Sequence, residues 1–169
     1  MTLKDIGVYK NRLLSIITES EDICETILGE EYNKETSDDD LLYKHIFPYL
    51  YIDETQTKQE SYICVEVDIP RTMDFTYKDM RIIVWCYCHK GIMKYSHEGY
   101  RGTRADILSD MADRLLNSSN DFGLGRLKLQ SCTYFSPSKD YYGRQLIYSC
   151  PEFNIDTKLD KVITWISMI

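Results

Sequence analysis

The sequence predicts an α+β fold: a mainly antiparallel sheet packed against one long helix, with an additional N-terminal helix. Two observations indicate this class. An apolar, β-rich run at residues 81–89 is the strongest strand signal. It is followed by a glycine-marked loop, an amphipathic helix and a two-stranded hairpin. A chain of 169 residues is long enough to bury one core, so we expect a single domain.

The domain divides into three parts along the chain. Residues 1–29 form the N-terminal helix, residues 41–150 form the sheet-and-helix core, and residues 151–169 form a C-terminal tail. Apolar residues spaced by three and four from Leu3 to Leu28 predict one amphipathic helix. The polar stretch Thr18–Asp22 is where this helix would break or bend, and Gly29 is its predicted stop.

The middle of the chain predicts one short helix and three strands. The helix spans Leu41–Phe47 and ends before Pro48, because the residue before a proline avoids the α region. Tyr49–Asp53 and Ser61–Ile69 are predicted strands. Apolar and polar residues alternate in the second, which indicates that one of its faces is exposed to solvent. A polar connection at 71–79 leads to Arg81–His89, which is apolar on both faces and therefore predicted to be central.

The second half of the core contains the most regular pattern. Residues 91–102 hold three glycines and predict a long loop of the kind that often faces a partner. Thr103 followed by Asp106 predicts a capping box at the start of a helix. Arg126–Phe135 and Tyr141–Cys150 are predicted to form a hairpin.

The last segment, Asp156–Ile169, fits both a helical stripe and a strand. The sequence leaves these two structures open. An apolar chain end with no place in its own core is a candidate for packing on a neighbouring subunit.

The charge and composition restrict the classes of partner. A net charge of −7 without any basic run argues against a protein that grips nucleic acid, because such binding needs a local lysine and arginine surplus. An acidic surface suits a protein that DNA passes without being bound, because carboxylates repel phosphates. The 14 tyrosines suit half-buried sheet faces and subunit interfaces. No apolar run is long enough to span a bilayer, so we expect no membrane partner.

The six cysteines are expected to be free thiols in a reducing compartment, because the chain start has no secretory pattern. Cys86 and Cys88 would point to one face of a strand, and Tyr87 and His89 to the other. This spacing does not match a four-ligand zinc site. We therefore expect neither a metal nor another cofactor.

Catalytic signatures are equally weak. Asp106, Asp110 and Asp113 lie on one side of the predicted helix, which is more typical of a solvated face than of a cation site. No histidine lies within a recognisable nucleophile motif, and no phosphate-binding or dinucleotide-binding loop is present. We expect that the protein is not an enzyme. The alternative is a small metal-dependent or nucleic-acid-processing enzyme using His89, His97 and the helix acids.

Aromatic and polar side chains in the long loop and the hairpin predict a protein interface. An exposed cluster of aromatic residues with arginine is typical of contact surfaces. The predicted interface residues are Tyr95, His97, Tyr100, Arg101, Ser136, Tyr141, Tyr142 and Arg144.

The order of elements resembles that of phage and prophage tail-terminator or tail-completion proteins, which join heads to tails. The resemblance covers roughly residues 40–150. It is carried by Phe47-Pro48-Tyr49, the strand Arg81–Trp85, the helix Ala105–Leu116 and the strand ending in Leu146-Ile147-Tyr148. The family resemblance implies an α+β subunit without catalysis that assembles into a homo-oligomeric ring, often a hexamer.

The resemblance further implies a virion structural protein of the tail or neck, assembled in the host cytoplasm. Its partners would be other copies of itself, the tail tube protein and the head-side connector or stopper protein, with DNA only as passing cargo. Sheet edges and the 91–102 loop would make subunit contacts, and the hairpin would meet the tube or the connector. A third alternative is an intracellular, phage-encoded regulatory binding module that forms no rings.

Overall fold

The computed structural model describes residues 3–33, 38–55, 57–72 and 77–153 and confirms the α+β class. The helices are α1 (Lys4–Thr18), α2 (Glu21–Leu28), α3 (Asp38–Leu41) and α4 (Arg104–Leu116), with short 3₁₀ turns at Gly29–Glu31 and Lys90–Ile92. The strands are β1 (Ile46–Phe47), β2 (Ser61–Thr72), β3 (Tyr77–His89), β4 (Lys128–Ser138) and β5 (Tyr141–Phe153). The predicted segment Asp156–Ile169 lies outside the described residues.

The five strands form one sheet in the order β1-β2-β3-β5-β4. Every neighbouring pair is antiparallel except β1 and β2, which are parallel. The prediction that Arg81–His89 is central is confirmed, because β3 is the middle strand. Among the described residues, no helix is long and apolar enough to cross a membrane.

The predicted N-terminal helix is divided into two helices, α1 and α2. The break falls within the predicted polar stretch: α1 ends at Thr18, and Ser20 adopts an extended conformation before α2 begins. Gly29 ends α2 as predicted, at a φ of 59° that favours glycine.

Both predictions for residues 41–53 are wrong. The helix α3 ends at Leu41, and a turn with Tyr43 at a φ of 58° leads into β1 instead of a helix. Residues 48–55 contain no strand. Aromatic stacking explains the difference, because the rings of Phe47 and Tyr51 lie parallel with centroids 4.2 Å apart. The segment packs across a sheet face and does not extend the sheet.

The strands β2 and β3 form a longer hairpin than predicted, because β2 reaches Thr72 and β3 begins at Tyr77. Residues 71–72 and 77–79 of the predicted polar connection are therefore strand. The face of β2 that was predicted to be solvent-exposed is exposed over only part of its length. Cys64 on this face is buried, whereas Glu66 and Asp68 are partly exposed.

Two hydrophobic clusters lie on opposite faces of the sheet. Helices α1, α2 and α4 cover the larger cluster, which includes Ile63, Val84 and Leu146 from the three central strands. The smaller cluster is aromatic and consists of Phe47, Tyr62, Cys64, Tyr87 and Tyr141, with Tyr51, Trp85 and Phe135 packed against it.

The predicted hairpin of the last two strands is confirmed, with boundaries shifted by up to three residues. Strand β5 pairs with β3 without interruption from Tyr77 opposite Phe153 to His89 opposite Tyr141. Gly143 lies directly opposite Tyr87, and a Cβ atom there would clash with the backbone of β3, at 2.6 Å from the Tyr87 Cα. The close approach of the two strands thus depends on the missing side chain.

We predict that Gly143→Ala lowers the free energy of unfolding by at least about 1–3 kcal/mol, because overpacking against backbone cannot relax through a rotamer change. Chemical denaturation followed by circular dichroism measures this. The matched control is Gly7→Ala in α1, where a Cβ meets nothing within 4 Å. That change should raise stability by about 0.5–1 kcal/mol. Equal stability of the Gly143→Ala protein and the wild type would contradict this account of the strand contact.

Candidate functional site

Strand β4 is an exposed edge of the sheet. It is the last strand in the order and pairs with β5 on one side. From Leu129 to Ser138 it carries no charged residue, and most of its side chains are exposed or half-buried. Tyr134 is 64% exposed. Edge strands with free backbone groups template pairing with another chain, and proteins usually block them with charges, bulges or proline.

The blocking features of β4 lie near its ends. Irregular pairing occurs between Leu129 and Ser131 and again between Phe135 and Ser138, and Pro137 lies in the second of these stretches. Between Ser131 and Phe135 the pairing with β5 is regular. Within the part of the chain that the structure describes, no strand pairs with the outer side of β4, so the centre of the strand is open to a partner.

The opposite edge is protected. Strand β1 pairs with β2 at Ile63 and Cys64, and beyond them no described strand lies outside β2. This part of β2 carries Glu66 and Asp68, has a bulge before Arg71, and contains Pro70. Such charges and irregularities prevent strand addition. The two edges of the sheet thus differ in kind.

A second exposed apolar surface surrounds β1. We call it the 43–52 surface; its exposed side chains are Tyr43 (62%), Tyr49 (46%), Leu50 (38%) and Ile52 (41%). Buried Phe47 supports it from below, with its ring 6.4 Å from that of Tyr43 and 5.6 Å from that of Tyr49. A cluster of large, exposed apolar side chains is typical of interaction sites.

The segment is anchored firmly from the sheet side. The Tyr87 hydroxyl donates a hydrogen bond to the Tyr51 carbonyl, and the Tyr141 hydroxyl donates one to the Lys58 carbonyl at 2.5 Å. Lys10 of α1 donates to the Pro48 carbonyl at 3.0 Å. The 43–52 surface is therefore presented on a fixed backbone.

A cleft of about 400 Å³ lies between the start of α4 and the β4–β5 hairpin. Tyr134 and Tyr142 form its hairpin side, and an ion pair crosses it, with Arg144 Nε donating to Asp106 Oδ1 at 2.9 Å. The ion pair fixes the hairpin relative to the helix.

The capping box predicted for α4 is present. The Thr103 hydroxyl accepts from the Asp106 amide, and the Thr103 amide donates to the Asp106 carboxylate at 3.1 Å. Burial raises the pKa of Asp106, but hydrogen bonds from Thr103 and Arg144 outweigh it, so the net pKa lies below its usual value. The carboxylate thus stabilises the fold in its charged form.

The predicted interface residues of the loop pack back onto the protein. Tyr95 lies under the Arg104 guanidinium at 4.2 Å, and Tyr100 lies under that of Arg114 at 4.4 Å. His97 Nε2 lies 3.6 Å from a Glu25 carboxylate oxygen of α2. Arg101 is exposed. The loop is irregular, as predicted, but its aromatic side chains are already half-buried.

The predicted hairpin residues are not all exposed. Tyr141 is 1% exposed and belongs to the aromatic cluster, so its place in an exposed cluster is a wrong prediction. Its position on the inward face of β5 explains the burial. The Ser136 hydroxyl is exposed and donates to the Ser138 carbonyl at 2.9 Å, which closes the hairpin. Tyr142 and Arg144 are partly exposed at the cleft.

The candidate catalytic and metal-binding residues do not converge. In the described part of the chain, no group of three or more histidine, cysteine or acidic side chains is arranged to hold a metal ion. Asp110 pairs with Arg114 at 2.9 Å, as predicted for a solvated face, and Asp113 accepts from the Tyr148 hydroxyl at 3.0 Å.

The predicted orientation of the cysteine pair is confirmed. Cys86 and Cys88 are buried, and Tyr87 belongs to the cluster on the other face. Burial raises the pKa of the Cys88 thiol to about 12. His89 accepts a hydrogen bond at Nδ1 from the Gly91 amide at 3.0 Å. These contacts are those of packed structural residues.

The sequence analysis missed the 43–52 surface because it assigned residues 41–47 to a helix and 49–53 to a strand. An available signal was the uncharged run Phe47–Ile52, which is longer than a two-residue strand can bury. The open edge was visible in sequence as the uncharged stretch Leu129–Ser138.

Comparison with known proteins yields one family. The family model described as YomW matches residues 20–150 of the 169, and the family is a phage-related one. This range contains both exposed surfaces. No curated protein matches the chain.

We predict that Asp106→Asn destabilises the protein at neutral pH by about 1 kcal/mol, through loss of the charged partner in the capping box. Because the native pKa of Asp106 is lowered, its charge contributes stability above the unfolded pKa of about 4, and this contribution disappears as the pH falls further. The difference in melting temperature between Asp106→Asn and wild type should therefore be large at pH 7 and should shrink steadily as the pH is lowered from about 4 toward 2. Asp110→Asn removes an exposed ion pair and is the control, with little change across this pH range. A difference that stays the same from pH 7 to about pH 2 would contradict the assignment.

Proposed function

The chain belongs to the YomW family of phage-related proteins, and from this premise we propose that it is a structural protein of the phage head–tail junction. In this proposal, copies of the chain assemble into a homo-oligomeric ring, most simply a hexamer. The ring terminates the tail tube and joins it to the head connector.

The observation that carries the proposal is the open edge of β4. A strand whose residues from Leu129 to Ser138 carry no charge, with Tyr134 exposed, is an aggregation hazard in a protein that remains monomeric. Such an edge is consistent with a subunit whose edge is covered in its working assembly. The absence of charge is notable because the chain as a whole carries a net charge of −7.

The remaining features fit the same role. An acidic ring lets DNA pass without binding it, since phosphates are repelled by carboxylates. The hairpin from Ser136 to Arg144 is proposed to meet the tail tube protein or the head-side connector, and Arg144 already holds it against α4. The proposed contacts are those of a virion component of the tail or neck, with no catalytic step.

The proposal is tested by deleting the gene from a prophage that carries it and examining the induced particles by electron microscopy. We expect heads separated from tails, and tails of uncontrolled length. The wild-type gene should restore joined particles of uniform length. A gene encoding Tyr134→Glu should not restore them, because a carboxylate on β4 blocks the edge contact.

The matched control is Leu115→Glu, which places the same charge at an exposed position of α4, a helix that is part of neither surface. This variant should restore joined particles. Normal, infectious particles from the deletion strain would contradict a role at the junction.

A further inference from the structure

The two exposed surfaces described above lie at opposite ends of the sheet. Strand β4 is the last strand in the order, and the 43–52 surface surrounds β1, which is the first. We propose that the ring contact is head-to-tail, with β4 of one copy seated on the 43–52 surface of the next. This inference rests on the proposed ring and names the two surfaces that build it.

The charges that border the two surfaces are complementary. Exposed Lys128 and Lys139 flank the uncharged stretch of β4 at its two ends. The 43–52 surface is flanked in sequence by exposed Asp39, Asp40 and Glu54. Its one exposed cation, Lys44, lies 3.7 Å from the Asp40 carboxylate, so the border of the surface remains acidic. Apolar centres with rims of opposite charge favour association and fix its direction.

The same charges oppose a symmetric contact between two β4 strands. Antiparallel pairing of two copies about a two-fold axis would bring Lys128 of each copy close to Lys139 of the other. Like charges that face each other across paired strands are destabilising. The β4 edge is therefore better matched to the acid-rimmed surface than to itself.

A continuous sheet running around the ring is also disfavoured. It would require β4 to add to the free part of β2, where Glu66, Pro70 and the bulge before Arg71 block strand addition. The 43–52 surface offers an apolar docking surface at the same end of the sheet as β2. Exposed Tyr134 would contact Tyr49 and Leu50, and aromatic residues of this kind dominate the energies of interfaces.

The geometry has a direct consequence for assembly. A contact between two different surfaces of the same chain is heterologous, and repetition of it produces a closed ring when the rotation between copies closes. A contact between identical surfaces stops at a dimer. Whether the contact joins two different surfaces or two identical ones therefore decides whether rings or dimers form.

Mixing two variants tests the inference. Tyr134→Glu disables β4, and Leu50→Glu disables the 43–52 surface; both positions are exposed, so both variants should fold. Each variant alone should remain monomeric by light scattering. Their mixture should form dimers and nothing larger, because each mixed pair retains one intact contact. Leu115→Glu serves as the control and should assemble like the wild type.

Cross-linking gives an independent readout. Cys132 on β4 is exposed, whereas the other five cysteines are buried. With Leu50→Cys added, a short bis-maleimide should link copies into a ladder that extends beyond the dimer. The wild type, with Cys132 alone, should give little linked product. A wild-type product that stops at the dimer through Cys132 would overturn the head-to-tail arrangement in favour of a symmetric one.

The outcomes separate the inference from the proposed function. If the wild type forms rings and Leu50→Glu forms them equally well, the choice of the 43–52 surface is wrong and the ring remains. If the wild type stays monomeric at every concentration and no mixture associates, the inference fails. The deletion phenotype then decides separately whether the protein acts at the junction.

Discussion

The pairing of β3 with β5 is the constraint on which the rest of the structure depends. It runs unbroken from Tyr77 opposite Phe153 to His89 opposite Tyr141, and Gly143 lets the two backbones approach at its crowded end. The ladder brings strands that are far apart in sequence into the middle of the sheet. It thereby creates both hydrophobic clusters, and it leaves β4, which follows α4 in the chain, as the outermost strand.

The same arrangement explains why the two sides of the sheet behave differently. The α4 helix and the Asp106–Arg144 ion pair hold the hairpin in place without covering the outer edge of β4. On the other side, β2 is blocked by charge and proline, and the aromatic segment around Phe47 packs over the sheet face with four apolar side chains left exposed. A fold that protects one edge and leaves the other open is suited to directional assembly.

Local signals predicted the parts of the fold that depend on local interactions. The capping box of Thr103 and Asp106 and the β-branched run of β3 could be identified because their causes lie within a few residues of sequence. The segment 41–53 could not, because its conformation depends on stacking of Phe47 on Tyr51 and on the hydroxyl of Tyr87, 36 residues away. The burial of Tyr141 likewise follows from the sheet order, which spacing alone does not reveal.

Hydrogen–deuterium exchange, compared between dilute monomer and assembled protein, tests the central claim most directly. The account predicts that amides in residues 129–138 and 43–52 exchange slowly only in the assembled state, because each surface is covered by a neighbouring copy. Exchange in α4 should not change. Assembly that protects the 91–102 loop or the helices, while β4 continues to exchange as fast as in the monomer, would contradict it.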